Sequence, residues 1–210
     1  MPYTLADVQR ALALPDFDGR AAQRPLTPHP RAAQRPADFP GQPRQGGVLL
    51  LLYPIQRELH LVLTKRPDNL PLHGGQVSLP GGRREPGESH PMAALRETQE
   101  ELGIDPAEIT LLGELTPLYI LPSDFEVHPF VGWMAERPRF RPHTPEVEKV
   151  IEAPISLFLE PANRAEEEWE IRGYTLLVPH FLVYGHKVWG ATAMILSEFA
   201  ERLRVAQLTQ

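Results

Sequence analysis

Apolar and polar positions change rhythm several times along the chain. Leu5, Val8 and Leu12 recur at helical spacing behind Thr4, a natural N-cap, and predict a short helix over Tyr3–Leu14. The rhythm is then lost, because eight of the 24 prolines fall within the first 43 residues. Proline lacks the backbone donor and fixes φ, so no regular structure is expected between Pro15 and Gln45. This stretch reads as an extended arm lying on the domain and dispensable to its fold. The hexapeptide RAAQRP occurs in it twice, at Arg20–Pro25 and Arg31–Pro36, too few copies for a solenoid.

From Gly47 the pattern is mixed. Val48–Tyr53 is a continuous apolar run of strand length, and Leu59–Thr64 alternates with Leu59, Leu61 and Leu63 on one face. A short stretch, Gln76–Leu79, ends at Pro80-Gly81-Gly82. A helix is predicted over Pro91–Leu102, with Ser89 as N-cap, Pro91 in the first turn, Gly103 at the left-handed terminus, and Met92, Leu95 and Leu102 as its apolar stripe. Strands are expected at Ile109–Leu121 with a break at Pro117, at Val127–Met134, at Val147–Ile151, and at Tyr174–Val178 with Phe181–Tyr184. A last helix, Ala191–Val205, buries Met194, Ile195, Phe199 and Leu203. The expected fold class is α+β, a mixed sheet covered by helices, with residues 1–46 as arm and 47–210 as the domain.

Composition narrows the function. With 42% apolar and 23% charged residues the chain can build a core. Twenty-one basic against 27 acidic residues give a net charge of -6, which excludes a broad nucleic-acid-binding surface. The absence of cysteine removes disulfides, thiolate zinc sites and a cysteine nucleophile. No run approaches the roughly 20 apolar residues that span a bilayer, and MPYTLADVQR lacks the plan of a secretory signal, so a soluble cytoplasmic protein without membrane contact is expected.

The informative segment is GRREPGESHPMAALRETQEELGI, residues 82–104. On a helix Glu97, Glu100 and Glu101 share one side, where like charges repel by a few tenths of a kcal/mol per pair. Arg96 can neutralise one of them, not three. A solvated acidic face is the plain reading. A Gly-Gly turn and a further acid, Glu88, just upstream favour another, since hard divalent cations take such oxygen clusters together with water and phosphate oxygens.

This segment resembles the Nudix box. Gly82, Glu88, Arg96, Glu97, Glu100, Glu101, Gly103 and Ile104 fall in its register, a coincidence expected on the order of once in 10⁸ starts. Thr98 stands where an aliphatic residue is usual, which predicts altered packing under the helix and no lost chemistry. The resemblance implies an α/β/α sandwich with a mixed sheet, and hydrolysis of a nucleoside diphosphate linked to another moiety, with Mg²⁺ or Mn²⁺. It implies Glu97 and Glu101 as metal ligands, Glu100 as ligand or base, and the Gly81 carbonyl as a further ligand. Arg96 and Glu88 would orient the carboxylates, with Gly82 and Gly103 in structural support. Glu146 and Glu148 are candidates for a distal base.

Upstream, LTKRPDNLPLHGGQVSLPGG (63–82) looks like the signature of the coenzyme A pyrophosphatase branch. Leu63, Thr64, Arg66, Gly75, Pro80, Gly81 and Gly82 agree; Val62, Pro67, Pro71 and Leu79 depart, and Pro71 replaces a usual arginine. HPFVGWM (128–134) and VWGATAMIL (188–196) look like the same branch. The resemblance implies cleavage of coenzyme A, with its thioesters also in view, to 4′-phosphopantetheine and adenosine 3′,5′-bisphosphate. Lys65, Arg66, Arg83 and Arg84 are available for phosphate contacts, and Trp189 or Phe125 for stacking on adenine. His73 reads as a turn histidine. The alternatives are a diphosphatase for ADP-ribose or NADH, and a nucleotide sensor without catalysis; the intact carboxylates weigh against the sensor.

Overall fold

The structure is a computed structural model that describes residues 3–30, 35, 39–69, 74–171 and 173–208. Pro71, His73 and the second hexapeptide copy apart from Arg35 lie outside the described residues. The chain opens with α1 (Leu5–Leu12) and α2 (Gly19–Gln23), followed by a 3-10 turn at Arg24–Leu26. The strands β1 (Arg44–Ile55), β2 (Glu58–Lys65), β3 (Val77–Ser78) and β4 (Gly81–Arg83) lead into α3 (His90–Leu102). Next come β5 (Thr110–Glu114), β6 (Leu118–Ile120), β7 (Phe125–Trp133), β8 (Lys149–Pro154) and the short α4 (Ser156–Leu159). The meander β9 (Arg164–Ile171), β10 (Tyr174–Val183) and β11 (His186–Trp189) precedes α5 (Gly190–Leu208).

β1 organises the molecule. It pairs with β7 in parallel and with β2 and β4 antiparallel, at the centre of an eight-stranded mixed sheet. Its apolar run is continuous because both faces are covered, as in any doubly buried strand. Leu49, Leu51 and Tyr53 pack with Val62, Phe130 and the α3 residues Ala94 and Leu102. Leu50 and Leu52 face the other way, onto Leu61, Leu63, Val131 and the α5 residues Leu196, Phe199 and Leu203. The result is the expected α/β/α sandwich of the α+β class. The meander joins the second core through Phe181, Val183 and Val188, with Phe181 edge-on to Phe158.

Three expectations need correction. Met92 is 60% exposed; the buried face of α3 is Ala93, Ala94, Thr98, Glu101 and Leu102. Small residues there let the helix lie directly on Gly47 of β1, where a Cβ would come 2.9 Å from the Ala94 nitrogen. Thr98 is fully buried and donates its hydroxyl proton to the Ala94 carbonyl at 2.7 Å, so its polar atom is satisfied within the helix.

The stretch after Pro15 is not wholly irregular or extended. Asp18 caps α2 by accepting from the Ala21 N–H, Ala22 is buried, and Val8, Ala11 and Leu26 lie in the core that α5 shares. A buried polar knot fastens them. Glu198, fully buried on α5, accepts from Gln23 Nε2 (2.8 Å), Thr116 Oγ1 (3.0 Å), the Thr116 N–H (3.1 Å) and Arg202 Nε (3.0 Å). Ser197 donates to the Ala22 carbonyl at 2.7 Å.

The later strands also run further than expected. β8 runs Lys149–Pro154, not Val147–Ile151, and β10 continues through Pro179. Leu177 exchanges both backbone hydrogen bonds with His29, so by the alternation of an antiparallel strand Pro179 turns its missing N–H to that same open side and away from β9. A two-residue turn, Tyr184-Gly185, with both φ positive (50° and 80°), closes β10 onto β11.

Candidate active site

Pairing of β4 with the first half of β1 sets Gly81 and Gly82 beside α3. Gly82 has no room for a side chain, since a Cβ would stand 2.5 Å from either Glu97 carboxylate oxygen. Ser89 accepts from the Met92 N–H, and α3 ends at Gly103 with φ 69°, as its caps require. Gly103 has a second reason to be glycine: a Cβ would fall 2.7 Å from Arg141 Cβ. The loop after Phe140 is pinned there by Arg141 N–H to the Leu102 carbonyl (2.7 Å) and His143 N–H to the Glu101 carbonyl (2.9 Å).

The guanidinium of Arg96 is the hub of the acidic face. Its Nε and Nη2 donate to the two Glu88 oxygens at 3.0 and 3.2 Å, and Nη2 also to the Arg83 carbonyl at 2.9 Å. Nη1 donates to Glu97 Oε1 and Glu100 Oε2, each at 3.0 Å. Every donor on the planar fork is used, which a lysine could not reproduce. Glu88, held also by the Glu85 N–H, is kept below the usual carboxylate range, first by the Arg96 hydrogen bond.

The other two acids are not so satisfied. Burial raises the Glu97 carboxyl, against the pull of Arg96. Glu101, 4% exposed, is pushed up to about 8, by burial and then by the charge of Glu97, with Arg66 and a hydrogen bond from Gly81 opposing. Its Oε2 is buried and has no hydrogen-bond partner. Glu146, at the end of the pinned loop, adds its charge to both carboxylates. Among the described residues no three acidic or imidazole groups already converge on one point as metal ligands. The donor set nonetheless fits a hard cation: oxygen ligands only, like charges crowded by burial, and one orphaned carboxylate oxygen.

The remaining candidates divide. Arg66 faces Glu101, its N–H bonded to the Gln76 carbonyl and its Nε buried without a hydrogen-bond partner. Lys65 is engaged by Asp68 (2.9 Å) and Glu148 (2.8 Å), so of the two distal acids Glu148 holds a lysine and Glu146 faces the carboxylates. Arg83 and Arg84 line an open cleft of about 990 Å³ with Arg44, Gln45, Glu85, Arg96 and Glu97. Phe125 is occupied by packing, with the Arg44 guanidinium 5.8 Å over its ring and Gly46 against its edge. Trp189 stands far from Phe125 in the chain and meets Trp169 edge-on at 5.1 Å. Sequence reasoning missed Arg44 and Gln45, and the stacked pair His90–His128 (3.7 Å, 11°) in which His90 Nε2 meets Gln45 Oε1 at 3.2 Å. HPFVGWM lies within the strand expected over Val127–Met134; nothing in it announced the stack of its His128.

Residues 43–172 match the NUDIX domain. The chain is 35% identical over 164 residues to Nudix hydrolase 15, mitochondrial, of Arabidopsis thaliana, covering 74% of this chain and 57% of that protein, so it spans little more than half of the relative. It is 37% identical over 105 residues to the peroxisomal coenzyme A diphosphatase NUDT7 of Mus musculus, 50% of this chain and 44% of that protein. A crystal structure of a Nudix hydrolase from M. smegmatis, RenU, superposes with a TM-score of 0.54 at 16% identity, covering 80% of this chain and 88% of that one, which shows the fold. Among the described residues no helix is long and apolar enough to cross a membrane. The chain belongs to the Nudix hydrolase family.

Proposed function

We propose that this Nudix hydrolase cleaves the diphosphate of coenzyme A, or of its thioesters, to 4′-phosphopantetheine and adenosine 3′,5′-bisphosphate. The observation that carries the chemistry is the orphaned, buried Glu101 oxygen crowded by Glu97 beside the Gly81-Gly82 turn. Nudix hydrolases work with divalent metal ions, and here Mg²⁺ or Mn²⁺ would be held by Glu97, Glu101, Glu100 and the Gly81 carbonyl. Such an ion supplies Lewis acidity toward the phosphoryl oxygens and acidifies water bound to it.

The chain's own residues do the rest. Arg96, itself fixed by Glu88, positions Glu97 and Glu100. Glu100 or Glu146 takes the proton of the attacking water, whose oxygen bonds to one phosphorus while the bridging oxygen leaves with the other phosphate. Arg66 and Arg83 bind phosphate oxygens in this reading, with Lys65 joining only if it releases Glu148 or Asp68. Gly82 and Gly103 keep the turn and the pinned loop close to the helix.

The coenzyme A assignment is supported by the 63–82 signature, whose Lys65 ends β2 and whose Arg66, the next residue, faces Glu101, and by the name of one relative. A substrate panel with product identification tests it. A charge-assisted phosphate contact contributes roughly 1.5–3 kcal/mol, about ten- to hundredfold. kcat/KM is therefore expected to fall from coenzyme A to dephospho-coenzyme A and further to ADP-ribose. Equal values for coenzyme A and ADP-ribose would refute the assignment and leave diphosphate hydrolysis standing.

A further inference from the structure

A second cleft, about 430 Å³, opens where the meander meets the edge of the main sheet, between residues 74–77 and the side chains of Trp169, His186, Lys187 and Trp189. Its floor on one side is glycine: Gly74 and Gly75, the latter at φ 72°, leave backbone bare to a ligand. Opposite stand two half-buried indoles at 77°, forming a corner. One face of Trp169 is stacked on His180, and Lys187 Nζ lies 5.6 Å over its ring while pairing with Glu167 at 2.6 Å. Lys149 donates to His186 Nε2 at 3.2 Å and makes no ion pair among the described residues, so a cation stands behind one of the residues that line the cleft, with Glu148 also near that ring.

The cleft shares a wall with the carboxylate site. Gln76, which lines it, accepts the Arg66 N–H at 3.0 Å, and Arg66 faces Glu101 on the other side. A molecule whose diphosphate lay at the carboxylates would enter the cleft by passing Arg66 and Gln76. The volume suits a base and sugar, not a whole dinucleotide. Aromatic corners with a cation favour a planar π-ring bearing an anion, whereas a pantetheine arm is flexible, neutral and amide-rich.

We propose that this cleft holds the adenine end of the substrate, with the ring against Trp189 and the ribose phosphate toward Lys149. The proposal rests on the coenzyme A reading for the identity of the anion, but not for the binding itself.

Calorimetric titration of the full chain with adenosine 3′,5′-bisphosphate, and separately with 4′-phosphopantetheine, tests it without turnover. Trp189→Leu should weaken the bisphosphate at least about fivefold, the lower range for one stacked base, and leave phosphopantetheine within twofold. Trp189→Phe should recover most of the loss. Lys149→Glu, at an exposed residue that leaves the core intact, should weaken the bisphosphate more than adenosine, and decides the matter if Trp189→Leu fails to fold. With coenzyme A as substrate, KM should rise in both variants and kcat stay within twofold. No binding of the bisphosphate to the wild type at millimolar concentration, unchanged affinity in folded Trp189→Leu and in Lys149→Glu, or equal loss of phosphopantetheine overturns the proposal. Tight, Trp189-dependent bisphosphate binding without coenzyme A hydrolysis would instead sink the coenzyme A reading and leave the cleft as the base site.

Discussion

Replacing Glu198 by alanine should be among the most damaging single changes outside the acidic helix. Its carboxylate is fully buried and receives hydrogen bonds from Gln23, the backbone and hydroxyl of Thr116, and Arg202. Arg202 has only 10% of its side chain exposed, with the Phe17 ring 4.4 Å from its guanidinium carbon. Without Glu198 that cation keeps, among the described residues, the Phe17 ring and one long hydrogen bond, to the Ala11 carbonyl at 3.5 Å, with no counter-ion in the knot. Removing one member of a buried ion pair costs about 3–5 kcal/mol, because the partner stays buried and unpaired. For a chain of this size that lowers Tm by roughly 6–20 °C. Scanning calorimetry of Glu198→Ala measures the loss, and the double variant Glu198→Leu/Arg202→Leu should lose less than the two single changes added together. A Tm shift under roughly 2 °C, or strict additivity in the double variant, would refute this account of the knot.

Two further outcomes follow from the same structure. Deleting residues 1–40 removes Val8, Ala11 and Leu26 from the core together with the Gln23 partner of Glu198, so the cooperative melt should be lost or displaced by more than roughly 10 °C; a truncated chain melting like the full one would restore the arm reading. Glu97→Gln or Glu101→Gln should lower turnover at least about a hundredfold while Tm stays level or rises, since each amide replaces a carboxyl whose ionisation is disfavoured by burial; full activity of both at saturating Mg²⁺ would contradict their proposed role.

What could be read from the chain was whatever a local rule controls. The continuous run Val48–Tyr53 announced a strand, and Ser89 and Gly103 bracketed α3 to within a residue. α2 escaped because five residues carry no period; its helix is held by an Asp18 cap and by Ser197, which is 175 positions away from Ala22. β9 escaped because four of its eight residues are glutamate, poor strand formers, and its stability comes from pairing along β10. The same limit applied to the stripe of α3. Methionine is apolar, yet the face that meets Gly47 needed alanine, and Met92 was left outside.

At the site, spacing alone grouped Glu97, Glu100 and Glu101, but only the packed structure tells them apart. Arg96 reaches Glu97 and Glu100 and fully serves Glu88, while Glu101 is carried into the core with Ala94 and Leu102 and keeps one oxygen unpaired. A buried polar atom without a partner costs about 1–3 kcal/mol, and nothing in the packing of α3 requires a carboxylate there. Sequences that fold reliably are consistent from residue to residue, and departures gather where something other than stability is being served. Glu88 and Arg96 look like a structure already complete. Glu101, with Glu97 beside it and the charge of Glu146 nearby, is the carboxylate whose oxygen the fold leaves unserved, which is why the proposed hydrolysis is centred on that oxygen and not on the more exposed Glu100.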